Sequence, residues 1–328
     1  MKKSMNWRPL CVLGALVCAA LASAVTHAQT FPNKPIRIVM GFPAGGPLDQ
    51  HARLLSDRLQ TQLGQPVLID YKAGAGGIVG AQEVMKAAPD GHTLMLANTG
   101  VMVINPAIYS KLPYQTLRDF VPVARTAMQP LAFLVNPDVP VKSLQEFIQY
   151  AKARPGQINY GSAGNGGSSH LVPEMLKSAT GIFMTHIPYR GSAPAFTDLM
   201  AGQVQFMAES IPQAAQYHKQ GKVRALAVTS KERNAALPDV PTAIEAGVAH
   251  FEVVGFYGFL APAGTPKDVV QKLSDAFKAV MQQPDLKARM AAQGADPAFL
   301  GADDFARYLQ VELPRWAEVV KKSGAQLD

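Results

Sequence analysis

The apolar run Ile36-Arg37-Ile38-Val39-Met40 passes directly into Gly-Phe-Pro-Ala-Gly-Gly-Pro-Leu-Asp at residues 41–49. A strand ending in paired glycines and a proline is turning into a helix, since proline is favoured as the first helical residue. Glycine lets the main chain approach a ligand closely, and a helix N-terminus presents unpaired N–H groups at the positive end of its dipole. Such a junction is an anion socket made of backbone alone, although an ordinary tight strand-to-helix turn accounts for a single one equally well. The same logic returns about 120 residues later, where Ile158-Asn159-Tyr160 leads into Gly-Ser-Ala-Gly-Asn-Gly-Gly-Ser-Ser-His at residues 161–170. Here Ser162, Ser168 and Ser169 add hydroxyls. Two such loops favour a shared ligand over two coincidental turns.

Strand-like and helix-like stretches alternate along the whole chain, which predicts an α/β fold with a mainly parallel sheet. Leu48, Ala52, Leu55, Leu59 and Leu63 recur at helical spacing after the first loop, and Gly64 ends that helix. Val67-Leu68-Ile69 reads as the next strand. Ser143 with Glu146 forms a capping box ahead of Leu144, Phe147, Ile148 and Ala151 on one helix face. Val269, Val270, Leu273, Phe277 and Val280 line another helix.

The first 28 residues stand apart. Lys2, Lys3 and Arg8 form a basic head, residues 10–24 are apolar, and Thr26-His27-Ala28 offers a small-residue cleavage site, so residues 1–28 read as a secretory signal peptide. A membrane anchor would need about 20 apolar residues. Both cysteines, Cys11 and Cys18, leave with the leader, so the exported chain has no disulfide and must hold by its core. Of 31 Lys and Arg, three lie in the leader, which leaves 28 against 24 Asp and Glu. That small excess is no nucleic-acid footprint and mildly favours an anionic ligand. Length favours two lobes.

Other chemistries find little purchase. Residues 74–80, Gly-Ala-Gly-Gly-Ile-Val-Gly, resemble a dinucleotide fingerprint but carry Val79 where its third glycine belongs. Ser162 lies in Tyr-Gly-Ser-Ala-Gly, which is not G-x-S-x-G, and His170 is the only histidine close to it. His170 and Glu174 sit one helical turn apart with no third ligand in view.

An ordered set of motifs remains: FPNKPIRIVMGFPAGGPLDQHARLL, YKAGAGGIVGAQEV, APDGHTLMLANTG, NPAIYSKLPY, INYGSAGNGGSSHL, HIPYRGSAPAFTDLMAGQVQFM, KVRALAVTS, ALPDVPTAIEAG and FLAPAGTP. Together they resemble the Bug family of extracytoplasmic receptors related to tripartite tricarboxylate transporters, over nearly the whole exported chain. The resemblance implies a two-lobed periplasmic binding protein of type II, a Venus flytrap with a cleft between lobes joined by two crossing strands. It implies a receptor, with no catalytic site and no cofactor, that holds a small carboxylate through main-chain amides and water. The expected organisation is a leader at 1–28, lobe 1 at 29–127 and 254–328, and lobe 2 at 128–253, with crossings near 120–127 and 253–260. The partners implied are membrane transporter subunits, or a sensor protein, with the receptor itself a monomer.

Carried over by position, the first socket is Phe42, Pro43, Ala44, Gly45, Gly46 and Asp49. The second is Ser162, Ala163, Gly164, Asn165, Gly166, Gly167 and Ser168. Cleft walls are expected from Gly76, Gly77, Thr99, the Tyr189-Arg190-Gly191 loop and Glu209. The chain departs from the family pattern at Gly41, Ala44, Pro47 and Leu48; Pro47 removes a hydroxyl and an N–H from the rim, and Leu48 is expected to make it apolar. Arg190 is either a bidentate carboxylate ligand or a solvated loop side chain. Asp49 either meets its helix dipole or receives a ligand ammonium.

Overall fold

The structure is a computed structural model that describes residues 31–292 and 295–323. The leader, its cleavage site and both cysteines lie outside the described residues. The first unit runs β1 (Ile36–Met40), α1 (Pro47–Leu63), β2 (Val67–Tyr71), α2 (Ile78–Met85) and β3 (Thr93–Asn98). Parallel pairing places β1 between β2 and β3. Helix α1 forms because Leu48, Ala52, Leu55 and Leu59 fall on one face, and all four are buried against the sheet. Each buried leucine stabilises that packing by about 1.5–3 kcal/mol. The helix stops at Gly64, whose left-handed backbone donates its N–H to Gln60 O at 2.9 Å.

The second unit begins on β4 (Phe120–Val135) and continues through α3 (Leu144–Lys152), β5 (Asn159–Ser162), α4 (Ser168–Thr180) and β6 (Thr185–Pro188). It is completed by α5 (Ser192–Met200), β7 (Phe206–Ser210), α6 (Ile211–Lys219) and β8 (Arg224–Val228). Ser143 caps α3 as its spacing predicts, its Oγ accepting from Glu146 N–H at 3.1 Å. The return half of the box is displaced by one residue, because Glu146 accepts from Lys142 N–H instead of Ser143 N–H. Leu144, Phe147, Ile148 and Ala151 form the buried face of α3.

The chain then returns along β9 (Val254–Pro262) to α7 (Lys267–Met281), α8 (Pro284–Ala292), β10 (Asp296–Leu300) and α9 (Ala302–Ser323). Two strands make one molecule of the two units. Residues 120–130 of β4 pair antiparallel with β9, whereas residues 131–135 pair with β7 on one side and β8 on the other. The order is therefore β2-β1-β3-β9-β4 in the first lobe and, through the same β4, β4-β7-β5-β6 in the second. The sheet is parallel inside each strand–helix–strand unit and antiparallel where the crossing strands enter.

The first crossing falls between Pro130 and Leu131, beyond the 120–127 expected from sequence, because residues 120–127 are still paired with β9. The return lies at Val253–Val254: Val253 N–H bonds to Thr229 O in the second lobe, and Val254 already pairs with Pro130. Helix α9 lies across both units. Its Phe305, Leu309, Trp316 and Val320 join a core that also holds Val101 and Ile104 from one side and Leu171 and Leu176 from the other.

Candidate functional site

A cleft of ≈ 900 Å³ opens where the two units face each other. Helix α1 enters it from the first lobe and α4 from the second, and their approach loops are built alike. Gly45 has φ 90° and Gly166 φ 76°, left-handed conformations that exclude a strain-free side chain. The following glycines cap the helices in nearly the same extended shape, Gly46 at φ −81°, ψ 173° and Gly167 at φ −78°, ψ 169°. Pro47 and Ser168 are then the first helical residues. In both loops the left-handed glycine gives its N–H to the side chain four residues on: Gly45 to Asp49 Oδ2 at 2.8 Å, and Gly166 to His170 Nδ1 at 3.1 Å.

The amides of Gly45 and Gly166 are therefore occupied and not themselves the donors a ligand would meet. The first-turn amides behind them remain open: those of Gly46, Leu48 and Asp49 on one side, and of Gly167, Ser168 and Ser169 on the other, have no acceptor among the described residues. Both helices thus begin at one cleft, each with unpaired first-turn N–H groups and a positive dipole end. Among the described residues lining the cleft there is no Lys or Arg, and Glu209 is the single charged side chain.

Asp49 is engaged within its own lobe. It is buried, and besides Gly45 it accepts from Tyr71 Oη at 2.6 Å and Arg53 Nε at 3.0 Å. Burial would raise its pKa, but the hydrogen bonds from Tyr71, Gly45 and Arg53 outweigh burial and hold it below the usual carboxylate value. A ligand ammonium would find this carboxylate already committed. Leu48 corrects the apolar-rim expectation: it is the second residue of α1, and its side chain turns into the lobe core beside Ala52 and Leu55.

Of the residues expected at the site, the structure brings Phe42, Gly45, Gly76, Thr99, Ala163, Asn165, Gly166, Gly167, Ser168 and Glu209 together on the cleft wall. Thr99 Oγ1 accepts the N–H of Phe256 at 2.7 Å, tying the end of β3 to the returning strand. Glu209, next to last in β7, lies between the starts of α5 and α6, accepting from Ser192 Oγ at 2.5 Å and from Ser210 N–H at 2.8 Å. Pro43 and Ala44 are exposed at the loop tip, off the wall. Gly46 and Gly164 are half-buried and Gly77 is buried, and none of the three lines the cleft. Gly77 packs so tightly that a Cβ there would meet Val101 Cγ2 at 2.5 Å, and one on Gly41 would meet Gly77 Cα at 2.5 Å. Gly77 and Gly80 thus serve close packing against Val101 and Gly41, while Gly76 is open to the cleft.

The Tyr189-Arg190-Gly191 loop lies off the wall as well. Tyr189 turns inward and donates to Asp198 Oδ2 at 2.7 Å, Arg190 is exposed, and it is Ser192, just beyond Gly191, that reaches the cleft. Ser162 is fully buried beneath its loop. Its Oγ meets His186 Nε2 at 2.6 Å and Gly164 N at 3.2 Å, so the nearby histidine is His186 and not His170. A buried serine engaged by its own loop is a brace, not a presented nucleophile. Residues that sequence reading missed are Gln129, Pro130 and Leu131 of β4 and Gly255, Phe256 and Tyr257 of β9, together with Asn98, Asn105, Tyr109 and Gln213. Gln129, a polar residue inside an apolar strand, was the one available signal.

Two α/β lobes that share crossing strands and face each other across an anion-receptive cleft define a periplasmic binding protein of type II, and solved structures of such proteins match this chain over most of its length. The sequence profile of the tripartite tricarboxylate transporter family receptors matches residues 51–325, and the chain belongs to that family. It is 35% identical to protein BugT of Bordetella pertussis over 98% of both chains. Among solved structures it resembles Rpa4515 of R. palustris with adipate (33% identity, TM-score 0.79, covering 90% of this chain and 100% of that one). It also resembles MatC of Rhodopseudomonas palustris with bound malate (36% identity, TM-score 0.73, covering 88% and 100%).

Proposed function

We propose that this chain is an exported solute receptor that captures a small carboxylate between its two glycine loops and delivers it to the membrane subunits of a tripartite transporter. The observation that carries the reading is the pair of open helix N-termini facing one cleft with no Lys or Arg on its walls. With no cationic side chain among the described wall residues, an anion there has backbone amides, dipole ends and neutral side-chain donors such as Asn98, Asn105 and Gln213 to meet. The relatives whose structures contain adipate and malate share fold and family with this chain, which supports a carboxylate as the ligand class. The basic head, apolar stretch and small-residue site of residues 1–28 support export. No helix of the described residues is long and apolar enough to cross a membrane. A binding protein returns its ligand unchanged, and the buried Ser162 fits that role.

A thermal-shift screen of adipate, malate, other mono-, di- and tricarboxylates, and the uncharged amides of the same acids tests the proposal. Binding to the native state alone stabilises by about 2.7 kcal/mol at roughly 100 times Kd. The expected result is a hit among the acids with no shift from its amide. Equal shifts from acid and amide would overturn the anion-socket reading.

A further inference from the structure

Asp49 and His170 occupy the same station, the third residue of a helix that opens on the cleft, and each accepts the N–H of a left-handed glycine four residues earlier. Their chemistry differs. A carboxylate accepts a hydrogen bond at any ordinary pH, whereas a ring nitrogen accepts only when it carries no proton. The bond from Gly166 to Nδ1 therefore requires a neutral His170 with its proton on Nε2. Beneath the second loop His170 lies flat on His186, ring centroids 3.8 Å apart and planes 6° apart, and His186 lies on Tyr160 at 4.9 Å. This stack meets the loop twice, at Gly166 through His170 and at Gly164 through His186 and Ser162.

We infer that His170 is the positioning residue of the second glycine loop and acts only as the neutral ring, so that protonation frees Gly166 and slackens the lobe 2 side of the cleft while the carboxylate-braced lobe 1 loop stays in place. The groups facing the histidine pair are Glu174 and Lys177 on the same helix, Tyr160 and Ser162 on β5, and His186 on β6. Glu174 Oε1 accepts from Tyr160 Oη at 2.5 Å and from Lys177 Nζ at 2.7 Å. Burial disfavours the charged form of His170 most, Lys177 adds to this, and Glu174 opposes it, for a net pKa below 6.5. Burial, and then His170 and Lys177, push the pKa of His186 down to about 4.

The consequence for binding rests on the carboxylate reading above, but the brace is testable without ligand. In the ¹⁵N-labelled ligand-free protein, the His170 ring nitrogens and the Gly45 and Gly166 amides are followed by NMR from about pH 7.5 to 4.5. The expected result is an unprotonated Nδ1 at neutral pH and a Gly166 amide that titrates with the midpoint of His170 while the Gly45 amide holds still. His170→Asn puts an amide oxygen near the Nδ1 station, so its Gly166 amide should keep the bonded shift without that titration. His170→Phe keeps a ring in the stack and removes the acceptor. Calorimetry with adipate and malate then reads the consequence: across the His170 midpoint affinity falls roughly tenfold or more further in the wild type than in His170→Asn, where only the acids' own carboxyl titration remains, and it is weak throughout in His170→Phe. An Nδ1–H tautomer, a Gly166 amide indifferent to the His170 titration, or a folded His170→Phe with wild-type Gly166 shift would overturn the inference. Failure of both acids to bind would count against the ligand class, while the NMR titration would still decide whether His170 braces the loop.

Discussion

At the scale of single residues, the site is decided by which amides are taken and which are left. Gly45 must be left-handed to turn its N–H toward Asp49, and no neighbouring atom lies within 4 Å of a Cβ built there. The objection to a side chain is thus backbone strain and not crowding. Gly45→Val should destabilise the fold by about 1–3 kcal/mol and weaken carboxylate binding far more than Gly46→Ala, whose backbone any residue adopts; urea titration and calorimetry on the two variants check this. Wild-type affinity in Gly45→Val would mean that the loop is an ordinary turn. Asp49→Ala removes the acceptor of the exposed Gly45 amide and of the half-buried Tyr71 hydroxyl, and should cost about 0.5–1.5 kcal/mol for each bond lost, since water can reach both groups. Because the pKa of Asp49 is lowered on folding, its contribution is present above the unfolded carboxylate value and is lost as pH falls through the folded one. The wild-type and Asp49→Ala stabilities should therefore approach each other as pH falls from the unfolded carboxylate value through the folded one, as denaturation at several pH values will show.

At the scale of elements, α1 carries a polar residue on its buried face. His51 is buried beside Tyr257, its Nε2 meets Thr126 Oγ1 at 2.8 Å, and burial pushes its pKa down to about 3. His51, His170 and His186 are all neutral when folded at values where the unfolded chain is protonated. The unfolded state binds more protons below pH 6.5, so stability should fall with acidification from there, by about 1.4 kcal/mol per pH unit for each titrating histidine. Urea midpoints at pH 7, 6 and 5 measure it, and a flat profile would contradict neutral burial. Strands and helices were largely legible in the sequence because their periodicity was strong, as in α1 and α3. Both glycine loops were legible because the same strand, paired-glycine and helix-start pattern occurs twice, which an ordinary turn explains less well than it explains one. What was hidden required the third dimension. That Gly45 and Gly166 donate to Asp49 and His170 depends on a side chain turning back over its own loop. Leu48 misleads because its place in the first turn does not say which way the helix faces. Gln129 and Tyr257 belong to the cleft only because β4 and β9 cross beneath it.

At the scale of the whole molecule, one loop alone would hold a carboxylate weakly in water, whereas two that close on it exclude solvent and strengthen each contact. A ligand moves an open–closed equilibrium only through its differential affinity for the two states, so an effective ligand must touch both lobes. We place the pivots where the strands change partners, at Pro130–Leu131 and Val253–Val254. X-ray scattering with a saturating binder should show a smaller radius of gyration than the free protein; binding with an unchanged profile would reject closure. The most direct measurement is a crystal structure with the acid that gives the largest thermal shift. The account predicts its carboxylate oxygens within hydrogen-bond distance, directly or through one water, of first-turn amides from both residues 46–49 and residues 167–169. An acid seated against only one of these loops, or outside the cleft, would contradict it.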